Sequence, residues 1–410
     1  MPIDQDTYIV VGSGVFGSST ALELIRAGHK VIVLDRSEDG YCAPDGASND
    51  LNKIVRADYS DPHYRNLAKM AISYWRRSDL ISQYYHEVGV LFHTGTSVDQ
   101  TIAYEVSSSD QFKGCFPVST RNRLGRLNED ITSGRNKAYF NPRGGWAEAG
   151  KATNAVLDEA KRLGAQVYGN AHVNKLLFQD RDDSKRVTGV RCADGRTFHI
   201  GGKGQTILCV GAWSEGLLRA IFEEQNLNSQ ISLPTWSSAQ VVITIQLNEE
   251  QQKIYRDTPV VLCFENGNYC FEPDSNGLMK IAIHSGGYRF PLPSTNTNTP
   301  LTFPTFADSI AEQADRTAKI TIQGAPSSVV KEARCPTDQA KQILQNLHYV
   351  YPELANAPIV YDRICFYSES LDENWIIDHA PGVKGLVVAS GDSGHAFKVS
   401  ETLGKIKSEY

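Results

Sequence analysis

The stretch YIVVGSGVFGSSTALELIRAGHKVIVLD, residues 8–35, restricts the fold of this chain more than any other part of it. Residues 8–11 are a short continuous apolar run, suited to a strand buried on both faces. Gly12, Gly14 and Gly17 follow at GxGxxG spacing. Ala21, Leu22 and Ile25 then recur at helical spacing, and Gly28 ends the helix. Residues 30–35, KVIVLD, are a second buried strand. This is a βαβ unit, whose crossover is right-handed almost without exception.

A GxGxxG pattern alone is weak. Here it follows a strand, opens a helix and precedes an acidic residue, Asp35, at the end of the next strand, which is the full dinucleotide fingerprint. Gly12 allows the tight turn, Gly14 lets the backbone approach a pyrophosphate, and Gly17 lets helix and strand pack closely. The helix N-terminus, at Val15 and Phe16, offers free N–H groups to phosphates. Asp35 can accept both ribose hydroxyls, with Arg36 beside it. Without a ligand, the same residues would make a tight strand–helix turn. Sequence physics does not choose NAD over FAD. TILCVGAW, residues 206–213, hints at FAD: a late strand ending in a Gly turn brings Gly211 and Trp213 close to a cofactor a second time.

Beyond the fingerprint, residues 61–75 read as a helix capped by Asp61, with an apolar stripe of Leu67, Met70, Ala71, Tyr74 and Trp75. Residues 146–167 read as another helix with a strand after it, and 186–200 as a hairpin around Asp194 and Gly195. After residue 215 the pattern changes. Residues 241–247, 259–265, 269–273 and 278–284 are strands with short polar links, predicting an antiparallel sheet in a second domain. Residues 291–304 read as a loop rich in Pro, Thr and Asn, and a helix capped by Asp338 runs to Pro352. LDEN, at 371–374, looks like a helix start, and 385–398 reads as strand, Gly turn and helix. The predicted class is α/β with two domains: a Rossmann-like nucleotide domain (1–80, 145–220 and 355–410) interrupted by a mainly antiparallel substrate domain (81–144 and 221–354).

With 410 residues, two domains are expected. The net charge of −6 argues against nucleic-acid or anionic-membrane partners, and no apolar run approaches a membrane span. The start has no basic n-region, and the eight Cys are scattered without CxxC or zinc-like spacing. A reducing compartment with free thiols is expected, cytoplasmic or peroxisomal, and no metal.

Two later motifs carry chemistry. SGDSGHAFK, residues 390–398, sets small residues before His395 and Lys398; such a turn lets backbone approach a flat ligand, and Lys398 could pair with an anionic substrate group. Read alone, it is equally a surface turn with a solvated Lys. In LMKIAIH, residues 278–284, strand alternation puts Lys280, Ala282 and His284 on one face, which by pattern alone suits a solvated face.

CFYSESLDENWIID, ASGDSGHAFK, the GSGVFG fingerprint with its Asp, and SNDLNKIVRADY (48–59) together resemble the monomeric sarcosine oxidase family of flavoenzymes. Its fungal relatives include pipecolate and saccharopine oxidases and the fructosyl amino acid oxidases, or amadoriases, which serve catabolism and secondary metabolism. The likeness covers nearly the whole chain in order. It implies FAD joined covalently through Cys365, which otherwise would be a small buried hydrophobe. It implies further cofactor contacts at Ser48, Asn49, Lys53, Val173, Asp392, Ser393, Gly394 and His395. Lys398 and Arg56 become partners of a substrate carboxylate, an arrangement in which the fork supplies geometry and the ammonium adds charge. Lys280, with Lys53 sharing the role, becomes the cation that activates O2, since a fixed positive charge favours superoxide. Tyr269 and Tyr367 fall where the family places rings near flavin or substrate, or are core aromatics. His284 stands where amadoriases have a glutamate near the sugar, which counts against a fructosyl substrate.

The expected activity is oxidation of a carboxylate-bearing secondary amine, an N-alkyl amino acid or cyclic imino acid, to an imine, with O2 giving hydrogen peroxide, by a monomer. The alternatives are an amadoriase, a flavin dehydrogenase using another acceptor, and a non-catalytic nucleotide-binding module.

Overall fold

The structure, a computed structural model, describes residues 6–59, 61–94, 137–181, 184–224, 234–263, 266–287 and 335–399. The loop expected at 291–304 and the C-terminal residues lie outside these.

The fingerprint unit forms as its sequence requires. Strand Thr7–Val11, helix Val15–Arg26 and strand Lys30–Leu34 follow one another, and the two strands pair in parallel. They sit inside a six-stranded sheet ordered Ile376–His379, Leu386–Ser390, Thr206–Leu208, Thr7–Val11, Lys30–Leu34, Gln166–Tyr168. All neighbours are parallel except the edge strand Ile376–His379. Val10, Val31 and Val33 point to one face, packed with Ala21, Leu22 and Ala152 of the fingerprint helix and helix Ala149–Arg162; Ile9, Val11 and Leu34 fill a second core on the other. Gly17 makes the helix contact possible: a Cβ there would lie 1.8 Å from the Gly12 carbonyl oxygen. No helix of the described residues is long and apolar enough to cross a membrane.

The second sheet has seven strands, ordered Ile359–Ser370, Thr235–Gln246, Leu278–Ile283, Asn268–Cys270, Val260–Cys263, Val90–Thr94, Lys137–Asn141. It is antiparallel apart from the Val260–Cys263 and Val90–Thr94 pair. Its β-branched runs, VVITI above all, suit a pleated surface packed on both sides. Ile243, Met279 and Ile281 face helix Thr337–Val350 through Ile343, Leu347 and Val350. Pairing sets the opposite face: Val242 opposes both Ala282 and Arg363, and Tyr269 opposes Ala282. Alternation then puts Arg363, Cys365, Tyr367, Lys280 and Tyr269 on this one face. The strand that carries Cys365 therefore belongs to the second sheet, while its continuation, Ile376–His379, returns to the first.

Several local expectations are corrected. Residues 145–147 are a strand, paired with Lys53–Val55 and with Tyr85–His86, so the next helix starts only at Ala149. Asp61 does cap helix Pro62–Arg77, accepting from the His63 and Tyr64 N–H groups. Met70, however, is 62% exposed, and the buried face is Arg65, Ala68, Ala71, Ile72 and Trp75. Pro336, not Asp338, occupies the cap position of helix Thr337–Val350; Asp338 lies in its first turn, where the helix dipole favours it. LDEN is the turn between strands Ile359–Ser370 and Ile376–His379, and Glu373 takes φ +60 in it. After strand Leu386–Ser390 the described chain makes turns and one 3-10 turn, Phe397–Val399, rather than a helix.

Candidate active site

A cavity of about 340 Å³ opens along the C-terminal ends of the parallel strands. Gly12, Gly14, Val15, Phe16, Asp35, Arg36, Ser48, Lys53, Val173, Gly211, Trp213 and Asp392 line it. The Asp35 carboxylate is buried and accepts from the Ser13 N–H (2.8 Å), the Ser13 hydroxyl (3.0 Å) and the Ser37 N–H (2.8 Å). Burial raises its pKa against those bonds. Gly14, the N-cap of the fingerprint helix, brings no side-chain cap of its own, and the helix dipole there favours an anion. Ser48 Oγ accepts the Val15 N–H at 2.8 Å and would lie 3.0 Å from a Cβ on Gly14. Arg36 pairs with Asp45 and stacks its guanidinium 4.4 Å from the Trp213 ring centre. A helix start at the cavity with glycine as its N-cap, and a buried acid just after the second strand, fit a dinucleotide such as FAD.

Other expected contacts lie deeper. Gly17 packs behind the turn. The Asn49 carbonyl accepts from Arg363, and the Gly46 carbonyl accepts from the same guanidinium at 3.0 Å. Arg363 thereby ties the segment after the cavity to the Cys365 strand, beside a bridge between Gly46 and Phe366. Cys365 is 1% exposed and packs with Ala47, Val242, Ala282, Tyr269 and Tyr367; its neighbour Phe366 lines the cavity. At the far end of the same strand, Asp392 accepts the Ser368 N–H (3.0 Å) and Ser393 Oγ accepts the Ser370 N–H (3.1 Å). Burial raises the Asp392 pKa to about 6.

Lys280 does not lie on a solvated face. It is 1% exposed, and its Nζ donates to Asp50 Oδ2 and to the Asn52 carbonyl, both at 2.7 Å. Lys53 Nζ is 3.3 Å from the same Asp50 oxygen and 5.7 Å from the Tyr367 ring centre. Burial lowers the Lys280 pKa to about 8, with Lys53 acting the same way and Asp50 opposing. Asp50 is held well below the carboxylate range, because Lys280, Lys53 and Arg363 outweigh its burial. Burial pushes the Tyr269 and Tyr367 phenols well above 10, so both stay protonated at neutral pH.

A second group gathers around Tyr59. Lys398 Nζ donates to the Tyr59 hydroxyl (2.6 Å) and the His395 carbonyl (2.7 Å). The Arg56 guanidinium and the Lys398 ammonium each lie 5.1 Å from the Tyr59 ring centre. Arg56 also donates to the Asp58 carbonyl, and Asn141 donates to both Asp58 carboxylate oxygens at 3.0 and 2.9 Å. Burial, then Arg56 and Lys53, lowers the Lys398 pKa well below its usual value. Burial and Lys398 lower His395 to about 4, and burial and Arg56 lower His284, so both rings are neutral at pH 7. His284 sits 6.2 Å, centre to centre, from the Tyr367 ring.

Sequence reasoning missed Asp50, Arg363, Tyr59 and Asp58. Asp50 and Tyr59 stood inside the quoted SNDLNKIVRADY, so a search for charges between Ser48 and Tyr59 would have raised Asp50. Arg363 stands two residues before Cys365, so strand alternation would have put it on the same face.

The model of one protein family, described as FAD dependent oxidoreductase, matches residues 7–409. The chain belongs to this family of FAD-dependent oxidoreductases. Among curated proteins, this FAD-dependent oxidoreductase is similar to L-saccharopine oxidase of Schizosaccharomyces pombe: 26% identical over 97% of this chain and 88% of the relative. It is also similar to a monomeric sarcosine oxidase of a Bacillus species, 22% identical over 98% of this chain and 90% of that protein. Among solved structures, fructosyl amine:oxygen oxidoreductase (Amadoriase I) of Aspergillus fumigatus superposes with a TM-score of 0.77 at 26% identity. That likeness covers 99% of this chain and 86% of the other. The α/β architecture with a Rossmann-like FAD-binding part is thereby established for this oxidoreductase.

Proposed function

We propose that this oxidoreductase oxidises a secondary amine carrying a carboxylate to an imine, with FAD tethered through Cys365 and O2 reduced to hydrogen peroxide. The observation that carries the substrate class is the pair of basic groups, Arg56 and Lys398, each 5.1 Å from the ring centre of Tyr59. Such a pair takes a carboxylate by fork and by point charge. It also disfavours a protonated amine nearby, so the neutral amine is the form bound. His284, Tyr367 and Tyr269 shape the pocket beside the substrate, neutral His284 offering a hydrogen bond without a charge. FAD, when bound, supplies the two-electron acceptor and the link to O2. Lys280 and Lys53 hold positive charge where O2 takes up its first electron. The fingerprint residues with Ser48, Asn49, Val173, Gly211, Trp213 and the turn of Asp392, Ser393, Gly394 and His395 hold the cofactor. The domain division stated above is proposed with this reading, as is action as a monomer.

Similarity to Amadoriase I favours a second reading, a sugar-bearing amine, against which His284 counts. The test is the visible spectrum of the anaerobic holoenzyme with sarcosine, N-methyl aromatic amino acids, pipecolate, saccharopine and fructosyl-glycine added one at a time. Bleaching by a carboxylate-bearing secondary amine other than fructosyl-glycine, reversed by air with peroxide release, is expected. Bleaching by fructosyl-glycine alone selects the second reading, and recolouring that needs a carrier instead of O2 makes the protein a dehydrogenase.

A further inference from the structure

Asp50 touches neither of the groups that take substrate, yet it is 8% exposed and carries a charge. Its Oδ2 accepts Lys280 Nζ at 2.7 Å and faces Lys53 Nζ at 3.3 Å, and its Oδ1 accepts the Leu51 N–H at 2.9 Å. Two ammonium groups, buried Lys280 and part-buried Lys53, thus share one carboxylate oxygen. The other ionisable groups facing this cluster are Arg363, Cys365, Tyr361, Tyr269 and Tyr367, from the second sheet. Arg363 is cationic and the phenols are protonated, so Asp50 supplies the nearest compensating charge. Without it, burial and Lys53 would act against a proton on Lys280, and burial and Arg363 against one on Lys53. A buried charge left without its partner is strongly unfavourable, and a buried Lys then sheds its proton.

We propose that Asp50 is the positioning residue of the oxygen half-reaction: one carboxylate pins both lysines and keeps Lys280 charged and fixed in place. The inference rests on the oxidase reading above. It also explains why Lys280 is bonded to a backbone carbonyl as well: two of its three protons are directed, which fixes the ammonium in one place. Asp50 acts only through Lys280 and Lys53.

The test is Asp50→Asn in the holoenzyme, with two readouts. In rapid mixing, reoxidation by O2 at pH 8 is expected to slow about tenfold or more, and its loss with rising pH to begin at lower pH than in the parent, while reduction by the amine changes little. In thermal unfolding, the variant melts below the parent at pH 7, and the gap narrows towards pH 10. Lys280, whose folded pKa is depressed by burial, binds fewer protons folded than unfolded, so its contribution to stability rises with pH up to the unfolded value. Asp50→Asn depresses Lys280 further and removes the charge that holds the Lys53 pKa up, which steepens that rise. A gap that is flat with pH, or reoxidation at the parent rate, overturns the proposal. If the variant does not fold, the double variant Asp50→Asn/Lys280→Met removes one charge of each sign and is expected to fold; its failure to do so overturns the counter-charge role. A parent that is bleached by an amine but releases no peroxide in air marks failure of the oxidase reading instead. The thermal comparison then still decides whether Asp50 is the counter-charge.

Discussion

In the proposed reading, Lys398 is the residue at which binding and protonation meet. Its ammonium is buried, beside Arg56, and bonded to two neutral oxygens, those of Tyr59 and His395. Burial, with Arg56 and Lys53, depresses its pKa, and Asp58 opposes the shift. A substrate carboxylate favours charge. Binding of a carboxylate inhibitor is therefore expected to take up a proton from solution, and to weaken as pH rises through the depressed pKa of the free enzyme. Calorimetry in buffers of different ionisation heat measures the proton directly. Tight binding of the same carboxylate with no proton uptake between pH 7 and 9 would show that Lys398 is charged before the ligand arrives. The sequence made Lys398, Arg56 and Lys280 visible as candidates because each stands in a motif. It could not show Asp50 as the complement of Lys280, since that contact spans 230 positions in the chain. What Arg363 bonds to was invisible for the same reason, its acceptors lying 314 and 317 positions away.

At the scale of elements, the turn after strand Leu386–Ser390 is the one where sequence and structure differ most usefully. Its small residues were legible as a place of close approach. What it approaches was not, because Tyr367 lies on another strand and His284 just past the end of a third. Gly394 has φ +70, and a Cβ on it would lie 2.8 Å from the Tyr367 ring and 3.2 Å from His284 Cε1. Gly394→Ala therefore strains the backbone and displaces two rings of the proposed pocket, at a cost of about 1–3 kcal/mol. The expected result is a lower melting temperature together with a several-fold rise in KM for the amine. An unchanged KM would place the turn away from the substrate. The strands and the fingerprint helix were readable because period and glycine spacing are local signals. The ends were not: Gly145–Ala147 became a strand through pairing with Lys53–Val55, and LDEN a turn because the chain crosses there from one sheet to the other.

For the molecule as a whole, the consequential question is how its cofactor and its fold are coupled. The cavity runs between the parallel sheet and the edge strand of the second sheet, with lining from both at Val11 and Phe366. A cofactor lying there contacts groups that separate on unfolding, so it binds the folded state and stabilises it. A freely dissociating cofactor does this by mass action, and the melting temperature then climbs with its concentration. A tether through Cys365 makes the same contact intramolecular, with an effective concentration that dilution cannot change. The parent holoenzyme is therefore expected to melt at a temperature independent of added FAD, and to keep its yellow colour in the pellet after acid precipitation. Cys365→Ser, which preserves the buried volume closely, is expected to release its FAD on precipitation and to melt higher as FAD is added. If the parent itself releases all its colour and its melting temperature follows FAD, no tether exists. Cys365 is then what its 1% exposure alone would suggest, a small hydrophobe between Ala47 and Tyr367.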